Sequence, residues 1–278
     1  MSSIVEKIEK AVRLIQVFYE SANVDFVEVA YSGGKDSDVI LELTRMSGIP
    51  YKAYYKNTTI DPPHTLQHVK EMGVEVLQPK HKFFDLVAQN GFPNRFRRFC
   101  CRELKEYKVL DKVIIGVRAD ESRKRAEMYK EPTDCRIYGR NERAEALYPI
   151  LFWNTKDIET FIRERGIILH PLYYNEAGQL CLDRRLGCMC CPLAGYKKRK
   201  LQFKQYPNML KSYARAGQKY MDGHQTEYSG VYEWLCRDIL YPTSKEWEQF
   251  RFSLFAQKGV GGDDFYREWL TEMIQTTK

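Results

Sequence analysis

The sequence predicts an α/β protein: a doubly wound, mostly parallel sheet, closed by a cysteine-rich segment and followed by a helical C-terminal extension. Three observations carry this. Short apolar runs alternate with helically spaced ones through residues 25–119, a Ser-Gly-Gly-Lys break ends the first run where a helix begins, and strand-like runs stop beyond Tyr196. The chain's 278 residues suit one large α/β domain with an appendage, or two small domains. The expected division is residues 1–195 for the α/β domain with its cysteines and 196–278 for the extension.

The elements follow in order. Ile4, Ile8, Val12 and Ile15 recur at helical spacing, so the first segment reads as an amphipathic helix and has no signal-peptide layout. "DFVEVAY" (25–31) reads as a buried strand, and Val39, Ile40, Leu43 and Met46 place a helix after it that ends at Gly48. "YKAYYKN" (51–57) is the second strand. "DPPHTLQHVKEMG" is a helix with Asp61 as N-cap, Pro62 near its first turn and Gly73 as its stop. "VEVLQP" is the third strand, "HKFFDLVAQNG" a helix and "KVIIGVRA" (112–119) the fourth strand. "NTKDIETFIRERG" reads as a capped helix, the segment through "LGCMCCPLAG" as a cysteine-rich loop, and "GHQTEYSG" and "KGVGGDD" as flexible loops. His64 and His68 are four apart and could share a helix face. Exposed or capping roles are expected over a metal pair.

A composition of 44% hydrophobic and 29% charged residues excludes a disordered chain, and no stretch has the apolar length of a membrane span. A cytoplasmic location is expected. There, eight cysteines point to metal or redox roles rather than disulfides. The formal charge of +7 is by itself a weak argument for nucleic acid.

"EVAYSGGKDSDVILEL" (28–43) carries the first chemistry. Backbone N–H groups at a helix start bind anions, and glycines let that backbone approach a phosphate. Ser32 offers a hydroxyl, Gly33 and Gly34 bare backbone and Lys35 a cation, while Ser37 opens the helix. The Walker pattern fails, because Val29 and Asp36 stand where it needs glycine and serine or threonine. Asp36 could ligate Mg²⁺ or cap the helix.

Cys100, Cys101, Cys188 and Cys191 supply four thiolates, with Cys190 as a possible substitute. Thiolates suit Zn²⁺ or an iron–sulfur cluster, and residue types alone leave both open. Arg95, Arg97, Arg98 and Arg102 surround the first pair, and Lys197, Lys198, Arg199 and Lys200 follow the second group. Such clusters could track a phosphate backbone with Tyr and Phe neighbours stacking on bases; a solvated helix face is the alternative for the Lys197 run.

Ser-Gly-Gly-Lys-Asp-Ser resembles the pyrophosphate-binding loop (PP-loop) of the adenine nucleotide α-hydrolase superfamily, whose members have a Rossmann-like core, bind ATP and split it between the α and β phosphates. "RRFCCRELK" followed by "GCMCCP" resembles the four-iron cluster motif of assimilatory adenylylsulfate reductases. "GVRADESRKRA" (116–126) resembles the segment whose arginines face the nucleotide's anionic end, which implies roles for Gly116, Arg118, Glu121, Ser122, Arg123 and Arg125. "YPILFWNTKDIETFI" and "HPLYYNEAG" also match, so the resemblance covers about residues 24–195. It is to the phosphoadenosine phosphosulfate reductase-like family. The closest pattern is that of the iron–sulfur ATP pyrophosphatases of DNA phosphorothioation and tRNA thiolation.

The resemblance implies an enzyme that uses ATP, Mg²⁺ and a [4Fe–4S] cluster, with Lys35 and Asp36 catalytic. It would adenylylate an acceptor for sulfur transfer to DNA or tRNA, with a sulfur-donor or modification-complex protein as partner. An intact Lys35 favours ATP cleavage, since sulfonucleotide reductases usually carry a degraded loop and attack with a cysteine in a C-terminal Cys-Gly tail. Here no cysteine follows Cys236, which reads as a core thiol in "GVYEWLCRDIL". A sulfonucleotide reductase using another thiol such as Cys190, and a non-catalytic nucleotide-responsive module, are the alternatives.

Overall fold

The computed structural model describes residues 3–21, 23–139, 141–241, 245, 247–250 and 262–275. Positions 258–261 of the expected "KGVGGDD" loop lie outside them. The described chain falls into two compact units.

The first unit comprises Met1–Asn57, Asp61–Pro79 and Leu104–Gly187. Its six-stranded sheet has the order β3-β2-β1-β4-β6-β5. Strands β1 (Val27–Tyr31), β2 (Tyr51–Lys56), β3 (Glu75–Leu77), β4 (Lys112–Ile115) and β6 (Glu142–Leu147) run parallel, while β5 (Thr133–Tyr138) pairs antiparallel with β6. This is the expected doubly wound, mostly parallel sheet. The chain moves outward from β1 through β2 and β3, then returns to lay β4 on the other side of β1. That reversal puts the topological switch point, the usual ligand crevice of such sheets, at the carboxyl ends of β1 and β4.

Pleating sorts the strand side chains into two cores. Val27 and Val29 of β1 and Ile114 of β4 pack with Ile15 of α1 (Ile4–Glu20), Ile40 and Leu43 of α2 (Lys35–Ser47) and Phe161 of α7 (Thr155–Arg165). Val113, one residue from Ile114, joins Ala144, Ala146, Tyr148 and Leu151 in the other core. The helices begin and end where their sequence dictates. Ser3 and Glu6 form a capping box on α1, and Asn154 and Asp157 one on α7. α2 stops at Gly48, at φ 71°. Lys112 of β4 buries its amine against the last carbonyls of α1, 3.0 Å from Phe18 O and 2.9 Å from Ser21 Oγ.

Three local expectations are corrected. Asp61 does not cap a helix; its carboxylate accepts the Tyr55 hydroxyl. The Pro62–Pro63 pair delays α3 to Thr65–Glu71, and His64 takes the N-cap position with φ 68°. β4 stops at Ile115, because Gly116 begins the ligand-side loop. The β5–β6 hairpin is an addition that "TDCRIY" and "ERAEAL" did not announce. β5 is a charged, largely exposed edge strand, and alanines, poor strand formers, supply much of the buried face of β6.

The second unit comprises Thr58–Ile60, Lys80–Glu103 and Cys188–Lys278. It holds α4 (Phe83–Asn90) and most of α5 (Phe99–Leu104). Later come α8 (Tyr196–Gln205), α9 (Pro207–Gly223), α10 (Val231–Trp234), which runs on into a π-helical turn, Leu235–Leu240, and α11 (Asp263–Gln275). Its core is aromatic: the Phe92 and Trp234 rings lie 4.3 Å apart, and Tyr213 and Phe203 meet edge-on at 5.5 Å. α9 passes so close to this cluster that a Cβ on Gly217 would lie 2.5 Å from the Phe92 ring. Cys236 is wholly buried, as a core thiol should be. No helix of the described residues is long and apolar enough to cross a membrane.

Leu43 is completely buried beneath the α2 face that carries the crevice loop. Leu43→Ala is expected to cost about 2–5 kcal/mol of stability, read as a lower urea midpoint with an unchanged slope.

Candidate functional site

Between β1 and α2 the chain makes the expected glycine turn. Gly33 sits at φ 76°, and Gly34 is the N-cap of α2. A Cβ on Gly33 would come 3.1 Å from Leu186, and one on Gly34 3.3 Å from the Tyr173 hydroxyl. Ser32 Oγ donates to Ser37 Oγ at 3.2 Å, and Ser37 Oγ donates to Gly34 O at 2.7 Å, which closes the turn. The Lys35 N–H donates to the Tyr173 hydroxyl at 3.3 Å.

The charged groups of the loop form a chain of contacts. Lys35 Nζ lies 3.2 Å from the Asp36 carboxylate and 5.7 Å from the centre of the Tyr173 ring. Asp36 also accepts Arg118 Nε at 2.6 Å, and Arg118 is only 2% exposed. Asp36 makes no cap bond, so its helix-capping reading is not realised; it joins two cations instead. Gly116 explains how Arg118 gets there. A Cβ at 116 would lie 2.8 Å from Asp36 O, so the loop leaving β4 touches the backbone of α2 and tolerates no side chain.

The rest of the 116–126 segment divides. Ser122 caps α6 (Arg123–Met128) by accepting the Arg125 N–H at 3.2 Å. Arg125 pairs with Glu121, and burial, with Arg185 nearby, lowers it from its ordinary value. Arg123 faces solvent, paired with Glu127 at 2.9 Å, and is not brought to the loop.

Behind the loop lies a layer that sequence reasoning missed. Asp38 is wholly buried. It accepts the Tyr31 hydroxyl, and His68 Nε2 stands 3.1 Å from it. Burial pushes the Asp38 carboxyl up, against the His68 hydrogen bond. His68 is therefore internal, not the exposed or capping residue expected. His170 meets His68 edge-on at 5.9 Å. Its Nδ1 accepts the Leu172 N–H at 3.0 Å, and its Nε2 lies 3.1 Å from Pro63 O, which fixes the neutral tautomer. Burial, with His68 nearby, lowers its pKa to about 4. Asp38 and His68 lie in separate helices, and nothing local in either gave a sign of this pairing; only the strand order brings them together.

In the second unit, Cys100, Cys101, Cys188 and Cys191 are all half-buried. Cys100 is held protonated by a hydrogen bond with Cys101, by burial and by the charges that Cys101, Cys188 and Cys191 would carry. The four thiols thus share one electrostatic neighbourhood. Among the described residues no three His, Cys, Asp or Glu side chains are arranged as a metal-holding group, so they are neighbours rather than a closed ligand set. Their chemistry nevertheless fits a thiophilic metal or cluster: mutually repelling thiols ionise together only when a cation takes up their charge. Cys190 differs. It is completely buried, at φ 53°, with its N–H on Gln202 Oε1 at 2.8 Å, and burial pushes its thiol up.

The basic residues of this unit separate as well. Arg95, Arg97, Arg98, Arg102, Lys197 and Lys198 are exposed. Asn94 Oδ1 accepts the N–H groups of Phe96 and Arg97 at 2.9 and 2.8 Å, a tight turn that leaves Phe96 97% exposed among arginines. Arg199 and Lys200 turn inward instead. Lys200 donates to the Tyr241 hydroxyl at 2.8 Å, and Arg199 is 1% exposed.

The description "Phosphoadenosine phosphosulfate reductase domain" matches residues 27–194 of this chain, well over half of it. The chain belongs to that family. It is 34% identical over 136 residues to an uncharacterized 37.8 kDa protein of Escherichia phage 186, covering 42% of this chain and 37% of that one. It is 28% identical over 233 residues to an uncharacterized protein of Methanocaldococcus jannaschii, covering 75% of this chain and 45% of that one. The chain thus spans less than half the length of these relatives. A phosphoadenylyl-sulfate reductase structure from Candida auris, in complex with phosphate, superposes with a TM-score of 0.42 at 16% identity, over 68% of this chain and 96% of that one.

The His170 geometry predicts acid sensitivity. Its folded pKa of about 4 lies below the ordinary 6.5, so only the unfolded chain takes up this proton between those values. The contribution is complete above pH 6.5 and is lost as pH falls to about 4. His170→Asn is expected to remove one proton's worth of slope from a plot of urea-derived stability against pH over that window.

Proposed function

We propose that this protein binds ATP at the Ser32–Ser37 loop and cleaves it to AMP and pyrophosphate in order to adenylylate an acceptor for sulfur transfer to a nucleic acid. The observation that carries the reading is the loop itself. A left-handed Gly33, a bare Gly34 N-cap and the Lys35 amine stand together at the start of α2, with Arg118 tied to Asp36 beside them. An N-terminus flanked by two cations suits a polyphosphate, whose leaving pyrophosphate gains charge as the α–β bond breaks.

In this reading an acceptor oxygen attacks the α-phosphorus and pyrophosphate leaves, with Lys35 stabilising its growing charge. A sulfide equivalent from a donor then displaces AMP from the adenylylated acceptor, so sulfur replaces the oxygen that departs with AMP. Asp36, already aligned by Arg118, would hold Mg²⁺, a hard cation that completes its shell with phosphate oxygens and water. Arg118 and Arg125 would grip anionic groups of nucleotide or acceptor, while the solvent-facing Arg123 has no such part. Cys100, Cys101, Cys188 and Cys191 would hold a [4Fe–4S] cluster, which supplies a sulfur-binding and redox-active iron site when present. The Arg95–Arg98 turn, with Phe96 projecting from it, suits a sugar–phosphate backbone and a stacked base.

The family match favours a second reading, reduction of a sulfonucleotide. It needs an attacking thiolate, and Cys190 is a poor one, being fully buried with its thiol pushed up. Sulfite release from adenylylsulfate or its 3′-phosphorylated form, with a thiol reductant, would select that reading over ours.

Lys35→Ala is expected to lower pyrophosphate release from ATP by about 10²–10³-fold with little change in the unfolding midpoint; normal turnover in that variant refutes the assignment. Nucleic-acid affinity should fall steeply with salt. Replacing Arg95, Arg97 and Arg98 together should flatten the log–log slope by about 0.7–0.9 for each phosphate that these arginines neutralise, and a salt-independent affinity refutes binding through phosphates.

A further inference from the structure

Arg199 is the least comfortable charge in the second unit. It lies on α8, 1% exposed, and none of its three guanidinium nitrogens has a hydrogen-bond partner among the described residues. Sequence reasoning grouped it with Lys197, Lys198 and Lys200 as a nucleic-acid contact, with a solvated helix face as the alternative; the helix instead turns it inward. A buried guanidinium without an acceptor is strongly disfavoured, which is why such groups are rare in native proteins.

Its surroundings say what would relieve it. The groups whose charge Arg199 feels are Cys190, Arg95, Tyr213 and Cys191, and no carboxylate is among them. Arg95 has the same sign and makes the position worse. Phe203, one helical turn away, is completely buried, and so is Tyr213. The two groups left among those four are the Cys190 and Cys191 thiols. Gln202 lies three residues from Arg199, on the same side of α8, and its side chain holds the Cys190 N–H at 2.8 Å. One helix face therefore grips the cysteine loop by its backbone and presents an unneutralised cation to it.

We propose that Arg199 is the buried counter-charge of an anionic, thiolate-held centre at Cys100, Cys101, Cys188 and Cys191, a positioning residue that makes the assembled centre stable inside the protein. This rests on the metal-holding part of the reading above, but not on ATP cleavage or nucleic-acid binding. Four thiolates on an iron–sulfur core, or on a zinc ion, carry net negative charge, which a nearby guanidinium neutralises and hydrogen-bonds. In the metal-free protein the same guanidinium is a liability, because it is buried without a counter-ion. The two states therefore predict effects of opposite sign for one substitution.

The test uses the full chain and the variants Arg199→Met and Arg199→Lys, each prepared metal-free and after anaerobic loading with ferrous iron and sulfide, or with zinc. Iron, sulfide and zinc per chain, release of metal to a chelator and thermal unfolding are measured. Metal-free R199M is expected to unfold at the same temperature as wild type or higher. Loaded R199M should release metal about 10–100-fold faster, with R199K between the two. Retention of zinc alone by wild type, with the same variant pattern, supports the counter-charge while removing iron from the proposed function. Equal release rates for wild type and R199M, or equal destabilisation in both states, overturn the counter-charge and leave the metal reading standing. A wild-type chain that retains neither metal overturns both, and this is visible before any variant is compared.

Discussion

The contact between Arg118 and Asp36, at 2.6 Å, is the constraint on which the crevice depends. It joins the loop that leaves β4 to the first turn of α2, the two loops that a doubly wound sheet brings together where its strand order reverses. A nearly buried guanidinium needs an acceptor, and the Asp36 carboxylate at the helix start supplies it. The pair also requires Gly116, since any larger residue would push the β4 loop off the Asp36 carbonyl. Fold and site are thus one problem here: the glycine that permits the approach and the charges that exploit it lie two residues apart.

Much of this was legible in the sequence because its signals are local. The Ser32–Ser37 turn needs a left-handed residue, and Gly33 supplies it. α2 and α7 end at Gly48 and Gly166, and the Asn154–Asp157 box announces the start of α7. What escaped was decided by pairing across the fold. Asp38 and His68 are ordinary members of two helical patterns until parallel pairing of β1 with β2 brings their helices together. Asp61 looked like a cap because caps are judged by type, yet two prolines moved the helix start and Tyr55 took the carboxylate. Arg199 shared a basic run with Lys197 and Lys198, and charge runs are read as solvated. Only the turn of the helix separates the inward residue from the outward ones.

The two units use burial differently. In the first, several buried polar groups satisfy one another: Asp38 with His68 and Tyr31, His170 with Leu172 and Pro63, Lys112 with the end of α1; the Tyr148 hydroxyl is an exception. Such closed networks hold backbone in place behind the loop that carries the Lys35 amine and meets the Arg118 guanidinium. In the second, the Arg199 guanidinium lies buried with no hydrogen-bond partner among the described residues, beside an aromatic core. Closed networks mark a scaffold, and open ones mark a place that something else completes.

The β5–β6 hairpin gives the sheet a different kind of freedom. β5 forms the outer rim, two strands removed from β4 and three from β1, and its charged Asp134, exposed, and Arg136, half-buried, discourage further strands from adding there. The turn that joins the two strands therefore has no duty toward the crevice. Lengthening it would alter the outline of the molecule without disturbing the spacing of Gly116 from α2, which makes this hairpin the natural point at which an insertion could be grafted, by lineage divergence or by design.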